Sequence, residues 1–277
     1  MKKPGKPRKA YDNHSFLHSD GARVLRIQTE YMEPDQRLQR LGIKHAVIFF
    51  GSARIRPGGK RDWYAEAADL AEKIARWTLQ EHAPEERYHI CTGGGPGIME
   101  AVHVGAARVD VGLNIGLNIS LPFEQHLNPS VLAERAFEFH YFFMRKFWFV
   151  NLSAAALIFP GGFGTLDELF ELLTLTQTGK SAPMPILLYG RQFWKKIVNF
   201  KALVDEGLIS PEDLGMFTIV DSVDEAYAVI SMGLGRSHSE RARYGERPLK
   251  PELRFERETK RDEQPQVTVR NRKKKSR

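Results

Sequence analysis

The chain has 277 residues, of which 42% are hydrophobic, so it can bury one sizeable core, and a single large α/β domain is the simplest interpretation. It has no run of about 18 apolar residues, so we expect no membrane-spanning helix, and no apolar stretch follows the basic N-terminus, as a secretory signal would require. Its single cysteine, Cys91, excludes a disulfide framework within the chain and favours a cytoplasmic location.

The net charge of +7 is unevenly distributed. Residues 1–10 carry five basic and no acidic residues, and residues 236–277 carry fifteen basic and seven acidic ones. The middle of the chain is therefore mildly acidic. We predict a basic flexible arm over 1–15, one domain over 16–239 and a basic, largely disordered tail over 240–277. Solvation is the favoured role of the two arms, and weak nucleic-acid contact is the alternative.

Strand and helix patterns alternate through the middle of the chain. Short β-rich runs occur at 45–51, 88–93, 113–121, 154–161 and 184–190. Amphipathic helical patterns occur at 62–77, 97–109, 165–179 and 191–207. This alternation predicts an α/β fold with a Rossmann-like, doubly wound, mainly parallel sheet that is covered by helices on both faces. In such sheets, ligands bind beyond the carboxyl ends of the strands.

Three glycine-rich turns follow predicted strands. Glycine can adopt positive φ and lets a ligand approach the main chain, and the helix that follows such a turn offers unpaired N–H groups to a phosphate. Any one of these turns could simply be tight, but three at corresponding strand ends favour a binding site. The candidate binding residues in these turns are Gly51, Ser52, Gly94, Gly95, Gly97, Gly161, Gly162, Gly164 and Thr165.

The turns do not match the common nucleotide-binding fingerprints. The pattern G-x-G-x-x-G fails at Ile98 in the second turn and at Asp167 in the third. The Gly59-Lys60 pair lacks the flanking residues of a phosphate-binding P-loop. Dinucleotide binding and ATP hydrolysis are therefore disfavoured.

Residues 137–149 include eight aromatic residues among thirteen, which we interpret as a helix, or the approach to one, that is apolar on nearly every face. Arg145 lies within this run, beside Lys146. Its tip could extend to water along the aromatic rings, or it could point into a site that receives an anion.

Glu168 is the best candidate for a catalytic carboxylate. It follows Thr165 by three residues, and this T-x-x-E pattern favours a capping box at the start of a helix. Asp167 and Glu171 are then expected to be first-turn charges that the helix dipole stabilises. The histidines show no metal-binding spacing, so we expect no metal site, and Cys91 is interpreted as a small buried residue at a strand end.

Two motifs resemble a known family. The run 160–168, Pro-Gly-Gly-Phe-Gly-Thr-Leu-Asp-Glu, resembles the P-G-G-x-G-T-x-x-E motif of the Lonely Guy (LOG) family, and Arg145-Lys146 resembles the R-K pair upstream of it. The runs 92–100 and 116–122 resemble the longer branch of that family. The similarity covers about 45–230.

The resemblance implies a phosphoribohydrolase that cuts the N-glycosidic bond of a nucleoside 5′-monophosphate, either AMP or a cytokinin nucleotide. It implies that Arg145 and Glu168 are catalytic, that Lys146 and the third turn bind substrate, that no cofactor is needed and that the protein is a homodimer or larger homo-oligomer. The lead-in Tyr141-Phe-Phe-Met-Arg-Lys146 departs from the Met-His-x-Arg-Lys of shorter members, which affects recognition of the base or ribose. A carrier that binds a nucleotide or cofactor without cutting it is the alternative.

Overall fold

The computed structural model describes residues 8–121 and 126–244, without the side chains of 236–244. The chain divides into two compact units, 1–237 and 238–277, and the sheet lies entirely within the first. The predicted domain boundaries stay predictions, because residues 1–7 and 245–277, about half of the first predicted arm and most of the second, lie outside the described residues.

Seven strands form one sheet in the part of the chain that the structure describes. The strands are β1 (His45–Phe50), β2 (Tyr88–Thr92), β3 (Asn114–Ile119), β4 (Ala136–Phe139), β5 (Ser153–Ile158), β6 (Ile186–Tyr189) and β7 (Thr218–Val220). Their order is β4-β3-β2-β1-β5-β6-β7, and every neighbouring pair is parallel. The predicted doubly wound α/β fold is confirmed. The strands β2 to β4 lie on one side of β1, and β5 to β7 lie on the other. Sheets with such a switch in strand order have a ligand-binding crevice at the carboxyl ends of the strands that flank it, here β1 and β5.

Helices connect the strands and flank the sheet. They are α1 (His14–Leu17), α2 (Arg23–Arg40), α3 (Trp63–Glu81), α4 (Ile98–Ala107), α5 (Phe142–Leu152), α6 (Phe163–Gln177), α7 (Arg191–Ile197), α8 (Phe200–Asp205) and α9 (Val223–Tyr244). Among the described residues, no helix is both long and apolar enough to cross a membrane.

The sheet has a buried apolar core on each face. Alternate residues of β1 belong to different cores: Ile48 packs in the cluster that includes Trp148 of α5, and Val47 packs in the cluster that includes Ala71 of α3. Side chains of a strand point alternately to its two faces, and β1, β2, β5 and β6 accordingly supply both clusters, whereas β3 and β4 supply only the cluster that includes Trp148. This double burial holds the strand ends, and the turns that follow them, in fixed relative positions.

The interpretation of 137–149 as a helix, or the approach to one, is correct only for the helix that begins at Phe142 and is wrong for the first residues, which form a strand. Residues 136–139 form the edge strand β4, in which Phe137 and Phe139 are buried and Glu138 is exposed. The apolar density reflects two different elements in succession, and the helix begins only at Phe142. That helix is also not buried on all sides, because Phe142 and Phe143 are about half exposed.

The single helix predicted over 191–207 is two helices, α7 and α8. Val198 is extended, and the side chain of Asn199 accepts a hydrogen bond from the backbone N–H of Ala202. Asn199 therefore caps a new helix and interrupts the old one, although the apolar spacing continues across the break.

Candidate active site

The three glycine-rich turns lie side by side at the carboxyl ends of β1, β2 and β5. Ser52 joins them through its backbone: its N–H donates to the carbonyl of Pro160 (3.0 Å), and its carbonyl accepts from the N–H of Ile98 (3.1 Å). The first turn is thus fastened to the third turn and to the start of α4. The expectation that these turns lie together is correct.

The glycines of the first two turns allow close packing of the main chain. A Cβ atom at Gly51 would overlap the side chain of Ile98, and one at Gly97 would overlap the backbone of Ser52 and Ala53. Of the predicted site glycines, only Gly94 and Gly97 have positive φ, each 72°. The general expectation of positive φ is therefore wrong for the third turn, where the absence of a Cβ atom matters instead.

A buried polar network holds the second turn in place. The hydroxyl of Thr92 accepts from the N–H of Gly94 (2.9 Å), and the carbonyl of Gly94 accepts from both the backbone N–H (2.7 Å) and the side-chain Nδ2 (2.9 Å) of Asn128. Asn128 Nδ2 also lies 3.2 Å from the carbonyl oxygen of Gly95. Asn128, more than thirty positions further along the chain, thus fixes the position of the second turn through these hydrogen bonds.

His103 completes this network. Its Nδ1 accepts from Asn128 Nδ2 (3.0 Å), so its hydrogen lies on Nε2, which donates to the carbonyl of Ile115 (3.2 Å). Burial lowers the pKa of His103 to about 4, and the ring stays neutral near pH 7. No sequence pattern predicted this network, because its members are separated along the chain.

The third turn leads directly into α6. The side chain of Thr165 lies over Gly161, where a Cβ atom would overlap it, while Cβ atoms at Gly162 and Gly164 would meet nothing within 4 Å. The first N–H groups of a helix have no acceptor within the helix. Gly162 and Gly164 therefore leave open space beside the donors at the start of α6, which suits an anion.

The capping-box interpretation of Thr165 and Glu168 is wrong. The N-cap of α6 is Gly162 and the helix begins at Phe163, so Thr165 and Glu168 both lie inside the helix. Asp167 and Glu171 consequently lie beyond the first turn, contrary to expectation. Phe163 allows the earlier start because its side chain is 93% exposed and needs no place in the core.

Arg145 and Glu168 face each other in the crevice. Nη2 of Arg145 lies 3.6 Å from Oε1 of Glu168, with the two side chains only 15% and 6% exposed. The Arg145 guanidinium also lies over the rings of Phe142 and Phe149, at 5.3 and 5.6 Å from their centroids. Its tip therefore meets a carboxylate instead of extending into water along the rings.

Burial sets the charge properties of this pair. It raises the pKa of Glu168 to about 7, although Arg145 and Lys146 oppose the increase. Burial also lowers the pKa of Arg145, against the opposing effect of Glu168. A carboxyl group with a pKa near neutrality, in a crevice and beside a cation, is typical of a catalytic acid or base.

Lys146, the neighbour of Arg145 on α5, forms ion pairs with two other carboxylates of α6. Its Nζ lies 2.9 Å from Asp167 and 3.2 Å from Glu171. Burial lowers its pKa, but these ion pairs outweigh that effect and the net pKa is raised. Lys146 thus joins α5 to α6, and its predicted contact with substrate stays a prediction.

Gly93 lies between the second turn and the Arg145–Glu168 pair. A Cβ atom there would lie 3.9 Å from Arg145 Nη1 and would overlap the sulfur of Met99. The second turn therefore lies beside the guanidinium of Arg145. Among the described residues, no group of three or more His, Cys, Asp or Glu side chains is arranged to hold a metal ion.

Comparison with known proteins places this geometry in context. A family model described as "Possible lysine decarboxylase" matches residues 99–230, the part of the chain that contains Arg145 and Glu168. The cytokinin riboside 5′-monophosphate phosphoribohydrolase LOG3 of Arabidopsis thaliana is 28% identical over 184 residues, which are 64% of this chain and 76% of the relative. The resemblance to the Lonely Guy family is confirmed.

Other LOG proteins match over similar lengths. The probable phosphoribohydrolase LOG4 of Oryza sativa subsp. japonica is 24% identical over 202 residues, which are 70% of this chain and 79% of the relative. Among solved structures, a molybdenum cofactor binding protein from Rippkaea orientalis is 20% identical with a TM-score of 0.46, over 69% of this chain and 98% of that one.

Proposed function

We propose that this protein hydrolyses the N-glycosidic bond of a nucleoside 5′-monophosphate to the free base and ribose 5-phosphate. The observation that carries the proposal is Glu168, a buried carboxyl group with its pKa near 7, 3.6 Å from Arg145 and in the second turn of the helix that follows the third glycine-rich turn. The similarity to LOG phosphoribohydrolases supports the same reaction.

The start of α6 would bind the 5′-phosphate. The unpaired N–H groups there and the positive end of the helix dipole favour a dianion, and Gly162 and Gly164 leave room for it. Binding energy from the phosphate, which does not react, would position C1′ of the ribose beside Glu168. Glu168 lies within the same helix, so the helix fixes the spacing between phosphate and carboxylate.

Cleavage builds positive charge on C1′ as its bond to the base nitrogen breaks. Ionised Glu168 stabilises that charge and accepts a proton from the attacking water, whose oxygen becomes bonded to C1′. The base leaves with the electron pair of the broken bond and takes up a proton. Arg145 holds Glu168 toward the ionised state and fixes its position. The reaction consumes one water and requires no other reactant.

A lysine decarboxylase activity fits this site poorly. Such chemistry uses pyridoxal phosphate bound to a lysine whose amine must lose its proton. Lys146, the lysine beside Arg145, is held by two carboxylates that raise its pKa, and the glycine-rich turns contain no lysine.

The test is to incubate the purified protein with AMP, GMP, CMP, UMP and a cytokinin riboside 5′-monophosphate, and to measure free base and ribose 5-phosphate. Adenosine serves as the matched control without a phosphate. We expect release from at least one monophosphate and none from adenosine. Equal rates with AMP and adenosine would remove the phosphate site from the proposal. Binding of the monophosphates without turnover would identify a carrier instead.

A further inference from the structure

The N-terminal helix α2 precedes the part of the chain that matches the family model, yet it is packed against the elements that carry Arg145. Arg37 donates from Nη1 to the carbonyl of Ala136 in β4 (2.7 Å) and lies over the ring of Phe137 (4.2 Å). Tyr31 packs against Phe147 and Trp148 of α5. The helix α2 thus covers the edge strand and one side of α5.

Glu30 of α2 makes the most specific of these contacts. Its two carboxylate oxygens accept from the backbone N–H groups of His140 (2.8 Å) and Tyr141 (3.2 Å), at the entry to α5. Tyr141 is the N-cap of α5 and its own side chain makes no capping hydrogen bond. Glu30 therefore places, from another helix, the negative charge that stabilises a helix N-terminus.

The same residue holds α5 at a second point. The backbone carbonyl of Glu30 accepts from the indole N–H of Trp148 (2.9 Å). Arg145 lies between these two points, and its own N–H donates to the carbonyl of Tyr141 (3.2 Å). The path from Glu30 to the backbone of Arg145 therefore passes through a single residue, Tyr141.

We propose that α2 is part of the hydrolytic site and that Glu30 is a positioning residue that holds Arg145 against Glu168. This inference rests on the proposed function, in which Arg145 and Glu168 form the reacting pair. It assigns a functional role to a helix that lies outside the family match.

The Arg145 side chain depends on its helix for its position. Its Nε is buried without a hydrogen-bond partner, and its nearest neighbours include the faces of two phenylalanine rings, which fix no direction in their plane. Its distance of 3.6 Å from Glu168 is longer than a hydrogen bond, so the interaction is a charge contact that a small movement of α5 would weaken.

The charged groups around Arg145 and Glu168 determine whether the pKa of Glu168 rises or falls when α5 moves. Arg145 faces Glu168 and Asp167 from α6 and Glu138 from β4. Glu168 faces Arg145 and Lys146 from α5 and, on its own helix, Asp167 and Glu171. If the start of α5 moves away from α6, both cations recede from Glu168 while the two acidic neighbours stay. The pKa of Glu168 must then rise.

The experiment compares Glu30→Gln and Glu30→Ala with Asp35→Asn. Asp35 lies on the same helix and, among the residues that the structure describes, its side chain accepts only from Gln39 of that helix, so it is a matched control for the loss of one carboxylate. Each variant is assayed for kcat, for KM with the best nucleoside monophosphate, for the pH dependence of kcat/KM and for its melting temperature.

We expect Glu30→Ala to lower kcat by about tenfold to a hundredfold with little change in KM, because the reacting geometry changes and the phosphate site does not. The acidic limb of its pH profile should move to higher pH. Glu30→Gln retains one acceptor oxygen and should lie between Glu30→Ala and the wild type, and Asp35→Asn should match the wild type. A lower melting temperature with unchanged kcat and pH profile would overturn the inference.

If the wild-type protein cleaves no monophosphate, the proposed function fails and the positioning role is tested without it. The pKa of Glu168 is then measured by NMR with ¹³C-labelled glutamate, with the signal assigned through Glu168→Gln. A higher Glu168 pKa in Glu30→Ala than in the wild type and in Asp35→Asn supports positioning by Glu30. Equal values in all three proteins would overturn it.

Discussion

The side chain of Thr165 occupies the space over Gly161 that a Cβ atom at residue 161 would need. This contact fixes the third turn against the first turns of α6. Alanine at position 161 must therefore displace Thr165 and the helix start together, and we expect Gly161→Ala to lower kcat/KM for the monophosphate by about a hundredfold or more.

Gly164→Ala is the matched comparison, because a Cβ atom there meets nothing in the protein. Alanine is the better helix former, so the free energy of unfolding should increase by up to about 1 kcal/mol. The variant should therefore unfold at a slightly higher temperature. It should also raise KM, since its methyl group would enter the proposed phosphate site. Higher stability together with unchanged KM would contradict a phosphate site at the start of α6.

Glu168→Gln separates catalysis from the packing of this side chain. The change keeps the size of the side chain but removes its charge, so we expect turnover to fall at least about a hundredfold. Glu171→Gln, one turn further along α6, is the control and should retain most activity. Near-normal turnover of Glu168→Gln would remove this residue from the mechanism.

The pH profile tests the charge state of Glu168. Its pKa is raised to about 7 by burial, and the proposed reaction uses its ionised form. The kcat/KM of the wild type should therefore fall about tenfold for each pH unit well below 7 and level off above about pH 8. An acidic limb near pH 4.5, the ordinary pKa of glutamate, would contradict a raised pKa for Glu168.

Stability should depend on pH through His103. Burial lowers its folded-state pKa to about 4 from the ordinary 6.5, so the unfolded chain takes up a proton first as the pH falls. This difference in pKa makes the free energy of unfolding about 3 kcal/mol larger above pH 6.5 than near pH 4, and the advantage is lost progressively as the pH falls between these values. Urea unfolding of the wild type and His103→Gln between pH 7 and 4 measures it. The variant should be less stable at pH 7 and should show a smaller loss on acidification.

Oligomerisation is expected from the exposed apolar side chains near the site. On α5 and α6, Phe142, Phe143, Phe163 and Phe170 are 52%, 50%, 93% and 39% exposed. Such side chains are typical of an interface. We predict a homodimer or larger homo-oligomer by light scattering, weakened by Phe143→Ser and unaffected by Phe16→Ser, a change at another exposed phenylalanine. A monomeric wild type at micromolar concentration would refute this prediction.

Removal of residues 245–277 should leave monophosphate hydrolysis unchanged, because the three turns and the Arg145–Glu168 pair lie within residues 51–168. Any salt-sensitive binding to RNA should be lost with this basic segment, since such binding comes from phosphate contacts that release counterions. Reduced turnover by a truncated protein that melts at the normal temperature would show that the segment contributes to the site.

The sequence predicted the sheet well where strand and helix patterns alternate, and it predicted the three turns, because glycine-rich breaks are local signals. It failed where an outcome depended on tertiary contacts. Residues 136–139 pair with β3 as an edge strand, a long-range contact that the dense aromatic composition of the segment obscured.

The sequence also did not predict where α6 begins, or which distant residues hold the site by hydrogen bonds. The T-x-x-E pattern was compatible with a cap at Thr165, but the helix continues three residues further toward the N-terminus, over an exposed Phe163. Glu30 and Asn128 act on backbone groups far away in the sequence. Single-sequence patterns report local periodicity and do not encode such pairings.

Cys91 was expected to be a small buried residue, and it is fully buried at the end of β2, where burial raises the pKa of its thiol well above the ordinary value. A thiol in that state is nearly inert to alkylating reagents. It is also the only cysteine in the chain. A reporter dye could therefore be attached through one cysteine introduced at the highly exposed position 163, without first replacing the native one. Fluorescence from that position, at the start of α6 and among the side chains predicted to form the interface, would report ligand binding and oligomer assembly together.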